Sequence, residues 1–337
     1  MKSLVCVRPG HLEYKEEPMP RVQPGQAILR MRKVGVCGTD LHAFQGTQPY
    51  FNYPRILGHE LAAEYVDGDE LGGFSPGDPV TIVPYFSCGQ CIACRSGRPN
   101  CCVKLSVCGV HEDGGMREYF SVPANALIRA SGLNHQQLAL IEPLSIGAHA
   151  VLRAGVKKDE FVLVVGAGPI GLGIMQFAIL TGARVIALDT NAFRLQVCEK
   201  NLKINNCILP GKEDISAILM EMTHGDMPMT IFDATGNLQA INRAFQWIAH
   251  GGQYVLVGLQ KEDIHFSHPE FHKREATLMS SRNATRQDFE MVMTAMRNKE
   301  IVADFWVTHQ AEFGKAKNVF PGWADPNAGV IKAVINW

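Results

Sequence analysis

The stretch that most narrows the choice of fold runs from residue 161 to residue 189. A continuous apolar run at 161–165 is typical of a strand buried in a parallel sheet. It leads at once into Gly166, Ala167, Gly168, Pro169, Ile170 and Gly171, and then into an apolar helical stretch over 172–180. A G-x-G-x-x-G string alone is weak evidence. Here a second apolar strand follows at 184–188 and ends in Asp189, which completes the order expected of a dinucleotide-binding unit. In that order Gly166 permits the tight turn, Gly168 lets a pyrophosphate approach the backbone, and Gly171 allows close helix–strand packing. Pro169 and Ile170 complete the candidate cofactor turn, and the helix N-terminus supplies amide donors to the phosphates. Asp189 points to NAD rather than NADP, because a carboxylate there accepts hydrogen bonds from the ribose hydroxyls and repels a 2′-phosphate. Arg194, five residues on, is the competing feature: a guanidinium turned inward would recognise that phosphate.

Strands and helices continue to alternate beyond this unit, with strands at 230–233, 253–259 and 278–281 and a helix at about 237–249. A helix over 285–299 and a last strand over 329–336 follow. The first third of the chain reads differently. Short β-type runs at 4–7, 26–31, 61–66 and 80–83 are punctuated by Pro18, Pro20, Pro24, Gly25, Pro76 and Gly77, the pattern of an all-β, barrel-like domain. A chain of 337 residues is too long for one ordinary core. The expected division is therefore a catalytic domain from 1–148 and 286–337, with an inserted α/β dinucleotide domain at 149–285.

Two constellations carry metal chemistry. Cys88, Cys91, Cys94 and Cys102 are spaced C-x2-C-x2-C-x7-C, so that three thiols wrap one ion and a fourth closes a tetrahedron. Structural zinc is the expectation, an iron–sulfur cluster the rival, and Cys101 a competitor for the fourth place. The second constellation is Cys37, Thr39 and His42 in the stretch 35–42, followed by His59 and Glu60. A thiolate, an imidazole and a carboxylate suit a partly open zinc site, and the flanking Gly35 and Gly38 let backbone and substrate approach. The plainer reading makes Cys37 a small buried hydrophobe and His59 a satisfied loop histidine. Cys6, Cys108, Cys198 and Cys207 show no partner pattern and are read as packing residues.

Lys and Arg number 32 against 33 Asp and Glu, a balance without the basic excess of a nucleic-acid binder. Arg8 and Pro9 interrupt the N-terminus before a signal-peptide core can build, and no apolar run approaches the length of a membrane span. The expectation is a cytoplasmic protein with a small-molecule partner and no nucleic-acid or membrane partner. In that compartment clustered cysteines are ligands rather than disulfides.

These motifs, in this order, resemble the zinc-dependent medium-chain dehydrogenases over essentially the whole chain. The resemblance implies a GroES-like β-rich catalytic domain and a Rossmann doubly wound NAD domain, an α/β architecture overall. It implies two Zn2+ per chain, one catalytic and one structural, NAD-linked reversible oxidation of a secondary alcohol, and a homo-oligomer, dimer or tetramer. Where many alcohol dehydrogenases of the family place a second cysteine ligand, this chain has Glu142, as sorbitol and threonine dehydrogenases do. The implied catalytic set is then Cys37, His59, Glu60 and Glu142, each carboxylate acting directly or through water; the alternative for Glu142 is a helix cap near Pro143. Cys102 completes the structural set. Thr39 is implied to pass a proton through the cofactor ribose toward His42.

A narrower resemblance is to the polyol and hexonate dehydrogenases of the family, carried by the stretches 48–55, 109–115, 233–237, 269–273 and 281–285. It implies a hexonate such as L-galactonate or L-gulonate, oxidised at C5, with a sorbitol- or xylitol-type polyol as the alternative. Arg282 falls where polyol dehydrogenases use an arginine on the substrate, and a guanidinium also clamps a carboxylate bidentately. Its alternative is a surface salt bridge. His272 and Lys273 are read as domain or subunit contacts. A non-enzymatic zinc or redox sensor is disfavoured by the intact Cys37, Thr39, His42, His59 and Glu142 set.

Overall fold

The computed structural model describes residues 1–48, 51–68 and 73–337. Pro49 and Tyr50, in the resemblance-bearing stretch 48–55, lie outside the described residues. The chain divides into one unit of Met1–Glu142 with Thr285–Trp337 and a second of Pro143–Ala284.

The second unit is built on a six-stranded parallel sheet. Its order is Cys207–Ile208, Arg184–Leu188, Phe161–Val165, Thr230–Asp233, Gln253–Leu256, Thr277–Ser280. The chain builds outward from Phe161–Val165 on one side and then returns to build outward on the other, so the strand order reverses beside that strand. Ligands of open α/β sheets bind beyond the strand ends at such a reversal. Leu163, Val165, Ile186, Ile231 and Tyr254 form the centre of its core. Helix Pro169–Leu180 is buried along Gly171–Ala178, which explains why its sequence has no polar face. Helix Ile141–Ala154 crosses it closely at Gly147, where a Cβ would stand 2.6 Å from the backbone of Gly173.

In the first unit a seven-stranded sheet runs Leu127–Arg129, Pro79–Ile82, Glu60–Gly68, Gln26–Val36, Lys332–Asn336, Val307–Glu312, with Tyr119–Pro123 also pairing with Gln26–Val36. Lys332–Asn336 lies antiparallel to Gln26–Val36, so the end of the chain completes the sheet begun near its start. A smaller sheet places Lys2–Arg8 between His11–Glu16 and Arg55–Ile56. Leu29, Met31, Leu61, Ile82, Phe320 and Ile335 pack between these layers.

Three differences from expectation have local causes. The helix expected over 237–249 ends at Ala244, and Phe245–Trp247 tightens into a 3-10 turn. The last strand begins at Lys332 rather than 329, because Gly329 has φ 68° and closes a turn that follows Pro326–Ala328. The division between units falls after Glu142, inside helix Ile141–Ala154, rather than at 148/149. Pro143 does not break this helix because it sits in the first turn, where its missing N–H costs no hydrogen bond. No described helix is long and apolar enough to cross a membrane.

Candidate active site

Strand Gln26–Val36 delivers the chain to Cys37, which sits at the N-terminal cap of helix Gly38–Gln45. Its neighbour Glu60–Gly68 begins where the first motif ends, so that Gly35 and Glu60 stand opposite each other. A Cβ on Gly35 would lie 2.1 Å from Glu60 Oε2, whereas among the described residues nothing approaches the corresponding position on Gly38 within 4 Å. Of the two glycines beside Cys37, only Gly35 is therefore required by contact, and what it admits is a carboxylate.

Asp40 joins the two ligand-bearing segments. Fully buried, it accepts hydrogen bonds from Cys37 N at 2.9 Å and Gly58 N at 3.1 Å, and its Oδ1 stands 3.9 Å from His59 Nδ1. Burial pushes its carboxyl above the usual range, although His59 pulls the other way. Burial works against a charged His59, but the negative charges of Asp40, Cys37 and Glu142 outweigh it and hold the imidazole well above its ordinary value.

Cys37, His59 and Glu60 bring one ligand atom each within 4.8 Å of one another. Glu60 is also held from behind: Lys332 Nζ lies 2.6 and 2.8 Å from its two oxygens and donates to Val36 O at 3.2 Å. Glu142, in the first turn of its helix, is not part of that three-residue set. It is buried nearby, and the Tyr85 hydroxyl donates to its Oε1. Burial raises its carboxyl, with the charge of Glu60 adding to the effect.

This pocket fits a divalent cation. Asp40, Glu60, Glu142 and the Cys37 thiol are gathered in a low-dielectric interior against the single ammonium of Lys332 and the His59 ring, leaving an excess of negative charge. Among the described residues His59 Nδ1 has no hydrogen-bond partner, and it faces Asp40, the orientation in which an outer carboxylate steadies a ligating ring. Mixed sulfur, nitrogen and oxygen donors are those zinc accepts.

Thr39 and His42 lie one turn apart on helix Gly38–Gln45 and so share a face. Thr39 is half-buried, while His42 is exposed with its Nδ1 3.0 Å from Thr47 Oγ1. The pair leads from the motif to the surface.

The four-cysteine loop is closed at its base by the pairing of Tyr85–Phe86 with Ser106–Val107. Sulfurs arranged tetrahedrally at a Zn–S distance of about 2.3 Å stand about 3.8 Å apart. Here Cys91 Sγ lies 3.5 Å from Cys94 Sγ and 3.8 Å from Cys102 Sγ, and all four thiols fall within one ion's reach. None of them is in a disulfide. Cys102 Sγ accepts from Cys88 N and Lys104 N, each at 3.3 Å, and the Cys94 backbone N–H brings the Cys91 thiol down to about 6. Such donors stabilise thiolates. Cys101 is exposed and stands outside the group, whereas Cys102 lies within it.

In the second unit Gly166 has φ 100°, a left-handed conformation that favours glycine. A Cβ on Gly171 would lie 1.8 Å from Gly166 O, which is the close packing of helix on strand. Gly168 caps the helix with an open face; among the described residues a Cβ there would meet only Arg194 Nη1, at 3.8 Å. Pro169 and Ile170 form the first turn. Asp189 Oδ2 accepts from Ala167 N at 2.6 Å and Oδ1 from Asn191 N at 2.8 Å, so the carboxylate also braces the glycine turn. Arg194 Nη1 stands 3.8 Å from Asp189. Arg282 is exposed just past strand Thr277–Ser280, at the C-terminal edge of the sheet. His272 and Lys273 are exposed on helix His268–Lys273.

Sequence reasoning did not find Lys332, Tyr85 or the bracing role of Asp40. Lys332 had a signal, a lone charge in the apolar run 330–335, since a lysine in a buried strand demands a partner. Tyr85 had none.

The chain matches the alcohol dehydrogenase GroES-like domain over residues 23–132 and the zinc-binding dehydrogenase domain over residues 169–298. It is 44% identical to L-galactonate-5-dehydrogenase of Escherichia coli K12 over 100% of this chain and 99% of that one. It is 31% identical to sorbitol dehydrogenase of Halalkalibacterium halodurans, covering 94% and 95% of the two chains. Among solved structures, an alcohol dehydrogenase of Escherichia coli CFT073 complexed with NADH superposes with a TM-score of 0.93 at 28% identity, over 100% of this chain and 99% of the other.

Proposed function

The chain belongs to the zinc-dependent medium-chain dehydrogenases, and from that premise we propose that it oxidises a secondary hydroxyl of a sugar acid to a ketone with NAD as acceptor. The substrate class is a hexonate such as L-galactonate or L-gulonate, attacked at C5. What carries this reading is the carboxylate-bearing pocket of Cys37, His59 and Glu60 in a chain 44% identical throughout to L-galactonate-5-dehydrogenase. Replacing a thiolate donor by carboxylates hardens a site and suits a hydroxyl-rich, chelating substrate.

Cys37, His59, Glu60 and Glu142 would hold the catalytic zinc, each carboxylate directly or through water, with Lys332 backing Glu60. Cys88, Cys91, Cys94 and Cys102 would hold the structural one. When bound, the catalytic zinc acidifies the substrate hydroxyl and the nicotinamide accepts hydride from the carbinol carbon. The remaining work belongs to the chain. Thr39, half-buried, would relay the hydroxyl proton, accepting it as its own proton passes through the cofactor ribose toward His42, which is exposed and would exchange it with solvent. Asp40 holds the Cys37 and Gly58 backbones so that thiol and imidazole converge.

Gly166, Gly168, Pro169, Ile170 and Gly171 would bind the pyrophosphate and Asp189 the adenosine ribose. Asp189 uses one acceptor site on each oxygen for backbone N–H groups, which leaves lone pairs for ribose hydroxyls. Arg194, beside this carboxylate, supports a role on the same end of the cofactor. Arg282 would clamp the substrate carboxylate, and the assembly would be a homodimer or homotetramer.

The deciding experiment measures NAD reduction by the zinc-replete protein across C5 and C6 polyols and the matching aldonates. An aldonate preference, lost in Arg282→Ala, is the expected result. A preference for alditols would move the protein to the sorbitol-type reading that the similarity to sorbitol dehydrogenase favours. In the same assay Asp189→Ala should raise the KM for NAD about tenfold, the loss of one or two hydrogen bonds, and relax the preference against NADP. An unchanged cofactor ratio would remove Asp189 from that role.

A further inference from the structure

The base of the cysteine loop is tied to the buried pocket at two points. On the entering strand, Tyr85 precedes Cys88 by three residues and is 8% exposed. Its ring packs edge-on against Phe289, with centroids 6.4 Å apart, and its hydroxyl donates to Glu142 Oε1. Just past the leaving strand, Cys108 N donates to Pro84 O at 3.0 Å and the Cys108 thiol reaches Gly58 O at 3.6 Å. The chain that follows is pressed onto the residue before His59: a Cβ would come 2.9 Å from Gly58 N if placed on Gly109, and 2.3 Å from Gly58 O if placed on Gly114.

The two strands at this base are each only two residues long. A ladder that short is marginal alone, and closing the loop between its strands is what holds it in register. Four thiols around one ion supply that closure. A buried carboxylate that loses its donor is free to turn or to protonate, so the position of Glu142 depends on the Tyr85 hydroxyl staying where it is.

We propose that Tyr85 is a positioning residue that couples the two metal sites: an ion in the four-cysteine loop fixes strand Tyr85–Phe86, and the Tyr85 hydroxyl fixes Glu142 for the ion in the pocket. The coupling rests on the reading of Glu142 as a carboxylate that serves the pocket metal. Tyr85 touches neither substrate nor cofactor in this scheme. It holds Oε1 of Glu142, and the carboxylate so held would serve the pocket metal.

The test follows zinc leaving the fully loaded protein into a chromogenic chelator, with Cys37→Ala identifying the pocket ion by removing its phase. Tyr85→Phe deletes only the hydroxyl. It is expected to speed release of the pocket ion about tenfold, the usual scale for losing an outer-shell partner, with the loop ion unaffected. The visible bands of the cobalt-substituted pocket should shift in the same variant. Cys94→Ser, which opens the loop, should speed pocket release in the wild-type background and add little in the Tyr85→Phe background, the signature of a shared path.

Wild-type release and cobalt bands in Tyr85→Phe would overturn the coupling, as would a full additional effect of Cys94→Ser in the double variant. Glu142→Gln separates the two levels of the argument. If it speeds pocket release while Tyr85→Phe does not, the coupling alone falls. If Glu142→Gln is also silent, the assignment of Glu142 to the metal falls and takes the coupling with it.

Discussion

The four-cysteine loop gathers its thiols within a span of 14 residues, Cys88 to Cys102, and keeps them near the surface, three of the four only half-buried. The buried pocket draws on Cys37, Asp40, His59, Glu60, Glu142 and Lys332, and its innermost ion pair joins residues 272 apart in sequence. In the loop, backbone N–H groups stabilise sulfur and a single kind of donor suffices. In the pocket, charged groups from distant parts of the chain face one another and negative charge remains in excess. A local site of one donor type closes around an ion and leaves no position open; a dispersed site of mixed donors can keep one open and surround it with groups that move protons. The loop therefore reads as a fastening and the pocket as the place of reaction.

The largest effect should come from the pocket. Cys37→Ala removes the thiolate, and turnover is expected to fall by at least about 10^4-fold, more than 5 kcal/mol of barrier. Dinucleotide affinity, read by fluorescence titration, should survive. Comparable loss in Cys94→Ser with both ions retained would break the contrast.

Lys332→Ala comes next. It leaves Glu60 buried without its cation, and denaturant unfolding should show a loss of about 3–5 kcal/mol. Removing both charges, in Lys332→Met with Glu60→Gln, should recover most of it. If the single and double variants unfold alike, the pair is not what holds that strand junction.

The smallest effect belongs to an ion pair between the strand of Glu60 and its neighbour Gln26–Val36, nearer the solvent. Arg32 Nη2 lies 2.6 Å from Glu64 Oε2, both side chains about a quarter exposed. The Arg32 hydrogen bond holds the Glu64 carboxyl below its ordinary value of 4.5. A lowered acid contributes stability that is complete above that ordinary value and is lost as pH falls through the folded one. Glu64→Gln should thus cost about 0.5 kcal/mol near neutrality, and the difference from wild type should vanish in acid. A cost as large as that of Lys332→Ala would mean that burial does not separate the two pairs.

The contrast between the sites also explains what the amino-acid order disclosed. Gly166, Gly168, Gly171 and Asp189 stand close together, and their turn is made of their own backbone, so spacing alone predicts its shape. The cysteine loop is equally local, and spacing left open only whether Cys101 or Cys102 completes it. Cys37, His59 and Glu60 were visible as residue types in two short motifs, but their convergence depends on Asp40 linking the two segments and on the Gly35–Glu60 strand register. Glu142 came from resemblance rather than from pattern. Tyr85 and Lys332 act through partners 57 and 272 residues away, and no periodicity records such a partnership. The shortfalls in the elements were of another kind: a helix tightened at Phe245 and a strand delayed to Lys332, where a turn residue outweighed the apolar pattern.

The sequence separation between Glu60 and Lys332 sets an order of events during biosynthesis. At ordinary rates of about 5–20 residues per second, Lys332 is added on the order of fifteen to fifty seconds after Glu60. For most of that interval, from the addition of Cys102 onward, the cysteine loop has all its thiols, while Glu60 has no lysine to face and the strand that carries it has no finished sheet to join. A nascent chain could then close its cysteine loop while still on the ribosome, whereas the ion pair that backs Glu60 forms only once Lys332 has emerged.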